Sequence, residues 1–234
     1  MKTKHYSRFI SMLLVVILLL CSFGTTAYAS DISSFLTDTT TGWAKYSSNS
    51  HMGSKSSAFT YASDDVKETY SEYVEEGIDL WGSYITCSES SSTSAMGEFT
   101  VSDMDSGANA VTDASYYTST GHRSSWTITI YSVNFDGNSD EGKYRTIAHE
   151  IGHAYGLHHV SDSSKIMYGT YSASKNVTST DRAGMRVMTH AHTHSSSYSK
   201  TYEQYTSTKH KVRCTSCKAY LLESCTSDCV CGNN

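Results

Sequence analysis

The sequence predicts an α+β fold, a single domain of strands and helices followed by a small cysteine-rich module. Three observations predict it. Apolar residues recur at helical spacing between Asp64 and Tyr84, and they alternate strictly from Trp126 to Val133. Beyond His190 the composition turns polar, and five cysteines then fall between Cys214 and Cys231.

The elements can be justified in chain order. Lys2, Lys4 and Arg8 precede an apolar run from Met12 to Leu20 and the small-residue stretch Thr25-Thr26-Ala27-Tyr28-Ala29. This is the pattern of a secretory signal peptide cleaved after Ala29, so 1–29 are expected to be removed and the protein to be extracellular. The apolar run is too short for the roughly 20 residues that span a bilayer, and no membrane association is expected once the signal is gone. The bulky Leu20 disfavours a lipid anchor on Cys21. Cleavage takes away three of the 18 basic residues and none of the 23 acidic ones, leaving a formal charge of −8. A nucleic acid partner is therefore not expected.

The chain contains no proline, so its turns must rest on Gly, Asn, Asp and Ser. A strand is predicted over 58–61, then a helix over 64–84 capped by Ser63 or Asp64, with Val66, Tyr70, Tyr73, Val74, Ile78 and Trp81 on one stripe. Strands follow over 97–101, 110–117 and 126–133. In the last of these Trp126, Ile128, Ile130 and Ser132 alternate with Thr127, Thr129, Tyr131 and Val133, and apolar or β-branched residues on both faces suit an internal strand. Asp136, Asn138 and Asp140 resemble the start of a calcium loop, but Glu141 stands where glycine is needed, so a plain turn is expected. A second helix is predicted over 140–155, ending at Gly156, and a third over 178–188.

On the second helix His149 and His153 are four residues apart, so both imidazoles project from one face and can approach one metal ion. Gly156 can stop the helix by adopting positive φ, and the returning chain brings His159 towards the same ion. Three nitrogen ligands leave one position of a tetrahedral zinc shell open for water. Zinc lowers the pKa of that water, and Glu150, next to the first ligand, can take its proton and pass it to a leaving amine. That is peptide hydrolysis without a covalent intermediate.

The stretch from His149 to His159, H-E-I-G-H-A-Y-G-L-H-H, resembles the zinc signature of the metzincin metalloproteases. Ile166-Met167-Tyr168 resembles that family's Met-turn, whose methionine forms an apolar floor beneath the metal. The spacing from His159 to Met167, with Val177-Thr178, Asp181, Gly184 and Met185 downstream, resembles the matrixin branch. The resemblance implies a twisted mixed sheet carrying the active-site helix, a catalytic zinc on His149, His153 and His159, Glu150 as base, and protein or peptide substrates. It selects His159 over its neighbour His158 as the third ligand, and it assigns no ligand role to Tyr168. No cysteine of the animal-type zinc-blocking pro-segment precedes the first strand, so a bacterial-type secreted form is expected.

A catalytic domain is thus expected over 30–189, a polar linker over 190–207 and a tail module over 208–234. Cys214, Cys217, Cys225, Cys229 and Cys231 fit a second, structural zinc site and a set of disulfides equally well. The alternating His190, His192 and His194 are read as a polar linker rather than as ligands. The tail is expected to bind a surface or a partner. Two rival functions are a zinc-containing surface or adhesion module with a decayed protease site and a metal-scavenging secreted protein. The retained Glu150 argues against the first, and the positions of Gly156 and Met167 against the second.

Overall fold

The structure, a computed structural model, describes residues 35–40, 42–192 and 199–225. All of these fall in one compact unit, Asp31–Asn234. The expected signal segment 1–29 lies outside the described residues. No described helix is long and apolar enough to cross a membrane.

The body is built on a five-stranded mixed sheet of order β3-β2-β4-β6-β5. Its strands are β2 (Ser56–Tyr61), β3 (Thr86–Glu89), β4 (Gly97–Ser102), β5 (Ala110–Tyr116) and β6 (Arg123–Tyr131). Strands β3, β2, β4 and β6 run parallel, whereas β5 lies antiparallel on β6 and forms an edge. The alternation expected in β6 appears as burial of Trp126, Ile128 and Ile130, and its internal position between β4 and β5 explains why both faces are rich in β-branched and aromatic residues.

Helix α1 (Asp64–Asp79) is capped by Ser63, whose side chain accepts from Val66 N, and packs along α3 (Asp140–Tyr155), whose cap is Ser139. Val74, Trp81, Phe99, Ile128, Ile130, Ile147 and Ile151 fill the space around them and are almost completely buried. Each such side chain is worth about 1.5–3 kcal/mol of transfer free energy. Trp81 Nε1 donates to Ala148 O at 2.9 Å and so fixes the end of α1 against the middle of α3.

Several boundaries differ from the sequence reading. Helix α1 stops at Asp79, and a 3₁₀ turn, Gly82–Tyr84, follows, so that Trp81 lies between the two. Strand β3 was not expected: its four residues, Thr-Cys-Ser-Glu, carry no apolar alternation and are held by parallel pairing to β2. The strand expected to reach Val133 ends at Tyr131, and the short helix α2 (Ser132–Phe135) follows because it buries Phe135. The 136–140 segment is a turn, with Tyr70 Oη donating to Asp136 and Asn138 Nδ2 to nearby carbonyls.

Beyond α3 the chain reverses at Gly156 and forms β7 (Leu157–His158), which pairs antiparallel with β1 (Ala44–Lys45). Helix α4 (Ser179–Met188) begins with a capping box in which Thr178 and the fully buried Asp181 satisfy each other's backbone N–H. The remaining strands, β8 (Lys200–Gln204), β9 (Lys209–Cys214) and β10 (Tyr220–Ser224), form a separate antiparallel sheet. Residues 200–204, expected to be linker, are thus a strand. Every one of them is exposed, so no apolar pattern betrays it and only pairing with β9 defines it. This sheet contacts the body through a Leu36–Tyr220 bridge and through Trp43, whose Nε1 donates to Cys217 O at 2.5 Å.

Candidate metal centre

The last ten residues of α3 are buried, and His149 and His153 point from the same face of that half. Gly156 closes the helix at φ +112°, a left-handed conformation that glycine tolerates. Any Cβ there would stand 2.6 Å from Ser50 O, so the site needs glycine for space as well as for conformation. The reversal delivers His159, and the three Nε2 atoms converge: 149 to 153 at 3.1 Å, 149 to 159 at 3.2 Å and 153 to 159 at 3.0 Å. His158 turns away, stacks on Tyr46 and accepts from His159 N through Nδ1.

The hydrogen bonds behind the rings decide which nitrogen faces inward. His149 Nδ1 lies 2.6 Å from Ile166 O and His153 Nδ1 lies 2.8 Å from Leu157 O. A carbonyl only accepts, so each Nδ1 carries the proton and each Nε2 presents a lone pair to the centre. Burial, followed by mutual repulsion among the rings and Lys175, drives His149 well below the ordinary histidine range. It takes His153 down to about 3, where backbone hydrogen bonding opposes it, and lowers His159 as well. The rings are therefore neutral, which is the state that binds metal.

Glu150 is 7% exposed, and Thr112 on β5 donates to its Oε2 at 2.7 Å. Burial raises its carboxyl to about 7, against the Thr112 hydrogen bond and the charge of Lys175. Met167 is 1% exposed and lies against Gly152, between His149 and His153 on the helix, where an added Cβ would sit 2.3 Å from its Sδ. A cavity of about 340 Å³ opens beside the centre, lined by His149, Glu150, Thr146, Thr170, Tyr171 and Lys175. Lys175 is 3% exposed, and burial lowers its ammonium to about 8 while Glu150 supports the charge.

Several of these groups escape sequence reasoning. Lys175 and Thr112 are ordinary loop and strand residues with no motif around them. Arg123 is equally silent: buried, it donates from Nε to Ala154 O, from Nη2 to His153 O and from Nη1 to Ser50 Oγ, and thereby grips the end of α3.

In the tail, Cys214 and Cys217 are buried and meet His192, whose Nε2 lies 3.3 Å from Cys214 Sγ. His192, read as a linker residue, belongs to that group. Cys225 instead stands 3.7 Å from His210 Nδ1. Cys229 and Cys231 lie outside the described residues.

The residues at the α3 centre fit zinc. Bonds of about 2.0–2.1 Å in a tetrahedral shell place ligand nitrogens roughly 3.3 Å apart, close to the separations observed, and the donors are neutral imidazoles. Three such donors beside a buried carboxylate and an open cleft have the composition that a metal-dependent hydrolytic centre requires. The sequence profile of the matrixin peptidases matches residues 58–190, more than half of the chain, and the chain belongs to that family of zinc metalloproteases. No curated protein matches it. Among solved structures, a chain of the GM1-bound form of the ECX AB5 holotoxin is similar, with 18% identity over 63% of this chain and 86% of that chain and a TM-score of 0.42.

Proposed function

We propose that this protein is a secreted endopeptidase in which His149, His153 and His159 hold one zinc ion and Glu150 is the general base. The observation that carries the reading is the convergence of three imidazole Nε2 atoms within 3.0–3.2 Å of one another beside a buried carboxylate. Zinc bound there would polarise the scissile carbonyl and acidify the attacking water. Glu150 accepts that water's proton and returns it to the leaving amine, and a carboxyl poised near neutrality suits both roles. Thr112 orients the carboxylate by its 2.7 Å hydrogen bond. The outer edge of β5 offers backbone groups on which an extended peptide can pair, and this edge borders the cleft containing Glu150 and His159. Met167 serves as the apolar floor of the Met-turn.

The N-terminal basic and apolar pattern supports export. His192, Cys214 and Cys217 are proposed to hold a second, structural zinc in a tail that binds a surface or partner, with disulfides in the tail as the competing arrangement. A decayed protease site is disfavoured by Glu150, which a purely structural metal site has no use for. The deciding experiment is Glu150→Gln in the mature chain. Zinc content should be unchanged while hydrolysis of a peptide library falls by on the order of a hundredfold or more. Undiminished turnover would remove Glu150 as the base.

A further inference from the structure

A second group of three histidines lies outside the α3 centre and is carried by three separate segments. His51 belongs to the stretch before β2, His122 to the turn between β5 and β6, and His190 to the end of α4. One nitrogen from each ring lies within 4.8 Å of the others, and the ring centroids are 4.9–5.2 Å apart. This is the spacing of the α3 cluster, whose centroids are 4.6–5.1 Å apart.

Two details point to a ligand. His51 is 1% exposed and its Nδ1 lies 2.7 Å from Asn49 O, so Nδ1 carries the proton and Nε2 turns a lone pair towards His190 Nε2, 2.8 Å away. His122 Nε2 is buried without a hydrogen-bond partner, and leaving such an atom unsatisfied costs about 1–3 kcal/mol. The backbone around the rings is held as for a built site. His51 N donates to Gly121 O, Arg123 N donates to His51 O, and Gly53 N donates to Met188 O. His190 follows the C-cap of α4 at φ +56°, a left-handed conformation that non-glycine residues enter at a cost.

We propose that His51, His122 and His190 form a further zinc site, structural in role, which ties the segment before β2 and the β5–β6 turn to the end of α4. Three imidazole donors select a first-row divalent cation of zinc type over calcium or magnesium, which prefer oxygen. The clamp lies close to the catalytic helix, because Met52, next to His51, donates its N–H to Tyr155 O. It is independent of the protease reading, since none of its ligands belongs to the α3 centre.

The test is the zinc content per chain of the full mature protein equilibrated with zinc, compared with His122→Ala and His122→Cys. The alanine variant should lose one zinc per chain, and the cysteine variant, which keeps a donor, should retain it. The doubly substituted His149→Ala, His153→Ala chain should still lose one further zinc on addition of His122→Ala, so failure of the catalytic assignment would not mask the result. Equal zinc in the parent and the His122→Ala protein would overturn the proposal. If that variant does not fold, zinc-edge anomalous diffraction from the unsubstituted protein decides. A peak between the three rings upholds the site, and its absence, with only a proton shared between His51 and His190, overturns it.

Discussion

Arg123 tests whether the end of α3 is held from outside the helix. Arg123→Met keeps a long apolar stem but deletes the guanidinium that bonds Ala154 O at 3.1 Å, His153 O at 2.9 Å and Ser50 Oγ at 3.1 Å. A hydrogen bond from a charged donor contributes about 1.5–3 kcal/mol. His153 O also receives Gly156 N, and Ser50 Oγ receives the Ser48 hydroxyl, so part of the loss is absorbed. Burial of the guanidinium, which lowers its pKa, is a cost that the variant escapes. The net expectation is a destabilisation of about 2–4 kcal/mol. For a domain of this size that corresponds to a Tm lower by roughly 5–15 °C. Because His153 is a proposed ligand, zinc affinity measured against a competing chelator should fall by about tenfold. Arg123→Lys should recover little, since an ammonium cannot reproduce the fork. A Tm by calorimetry within 2 °C of the parent, in this order-of-magnitude frame, together with unchanged zinc affinity, would refute the bracing role.

Replacing any of His149, His153 or His159 with alanine should remove the catalytic zinc and the hydrolysis of a short peptide, and metal analysis showing full zinc in all three would sink the ligand set. Gly156→Ala should lower stability by about 2 kcal/mol or more, read from a denaturant midpoint, since φ is +112° and the new Cβ meets Ser50 O at 2.6 Å. Lys175→Met should keep zinc but reduce the preference for peptides presenting a carboxylate to the cavity, as a peptide library would report. With metal chelated, His51 and His153 have folded-state values of about 4 and about 3, below the ordinary 6.5. Their unfolded forms therefore bind more protons below that value. The metal-free protein should hold its stability above it and lose stability as the pH falls towards 4, although the raised Glu150 acts in the opposite sense between its ordinary value and about 7. A denaturant midpoint independent of pH over that window would contradict the neutral buried rings.

Much of the α3 centre was legible in one dimension because its parts obey local geometry. The four-residue step from His149 to His153 is a property of any α-helix, and the glycine three residues later marks the left-handed stop that returns the chain to His159. Alternation placed β6, and a capping residue type at Thr178 placed the start of α4, because period and capping act within a few residues. What the sequence could not specify is whatever depends on partners far along the chain. Strand β3 and strand β8 exist through pairing with β2 and β9 and have no apolar pattern of their own. Lys175 is buried against the centre only because the loop after Met167 folds over it, and Arg123 reaches the carbonyls of α3 across 30 residues. His190 and His192, read as linker residues from their polar surroundings, join separate clusters with residues 139 positions before and 22 positions after them. A side chain's own neighbours determine its periodicity and its cap, but burial and the lone pair it faces are set by segments that meet only when the sheet and helices pack.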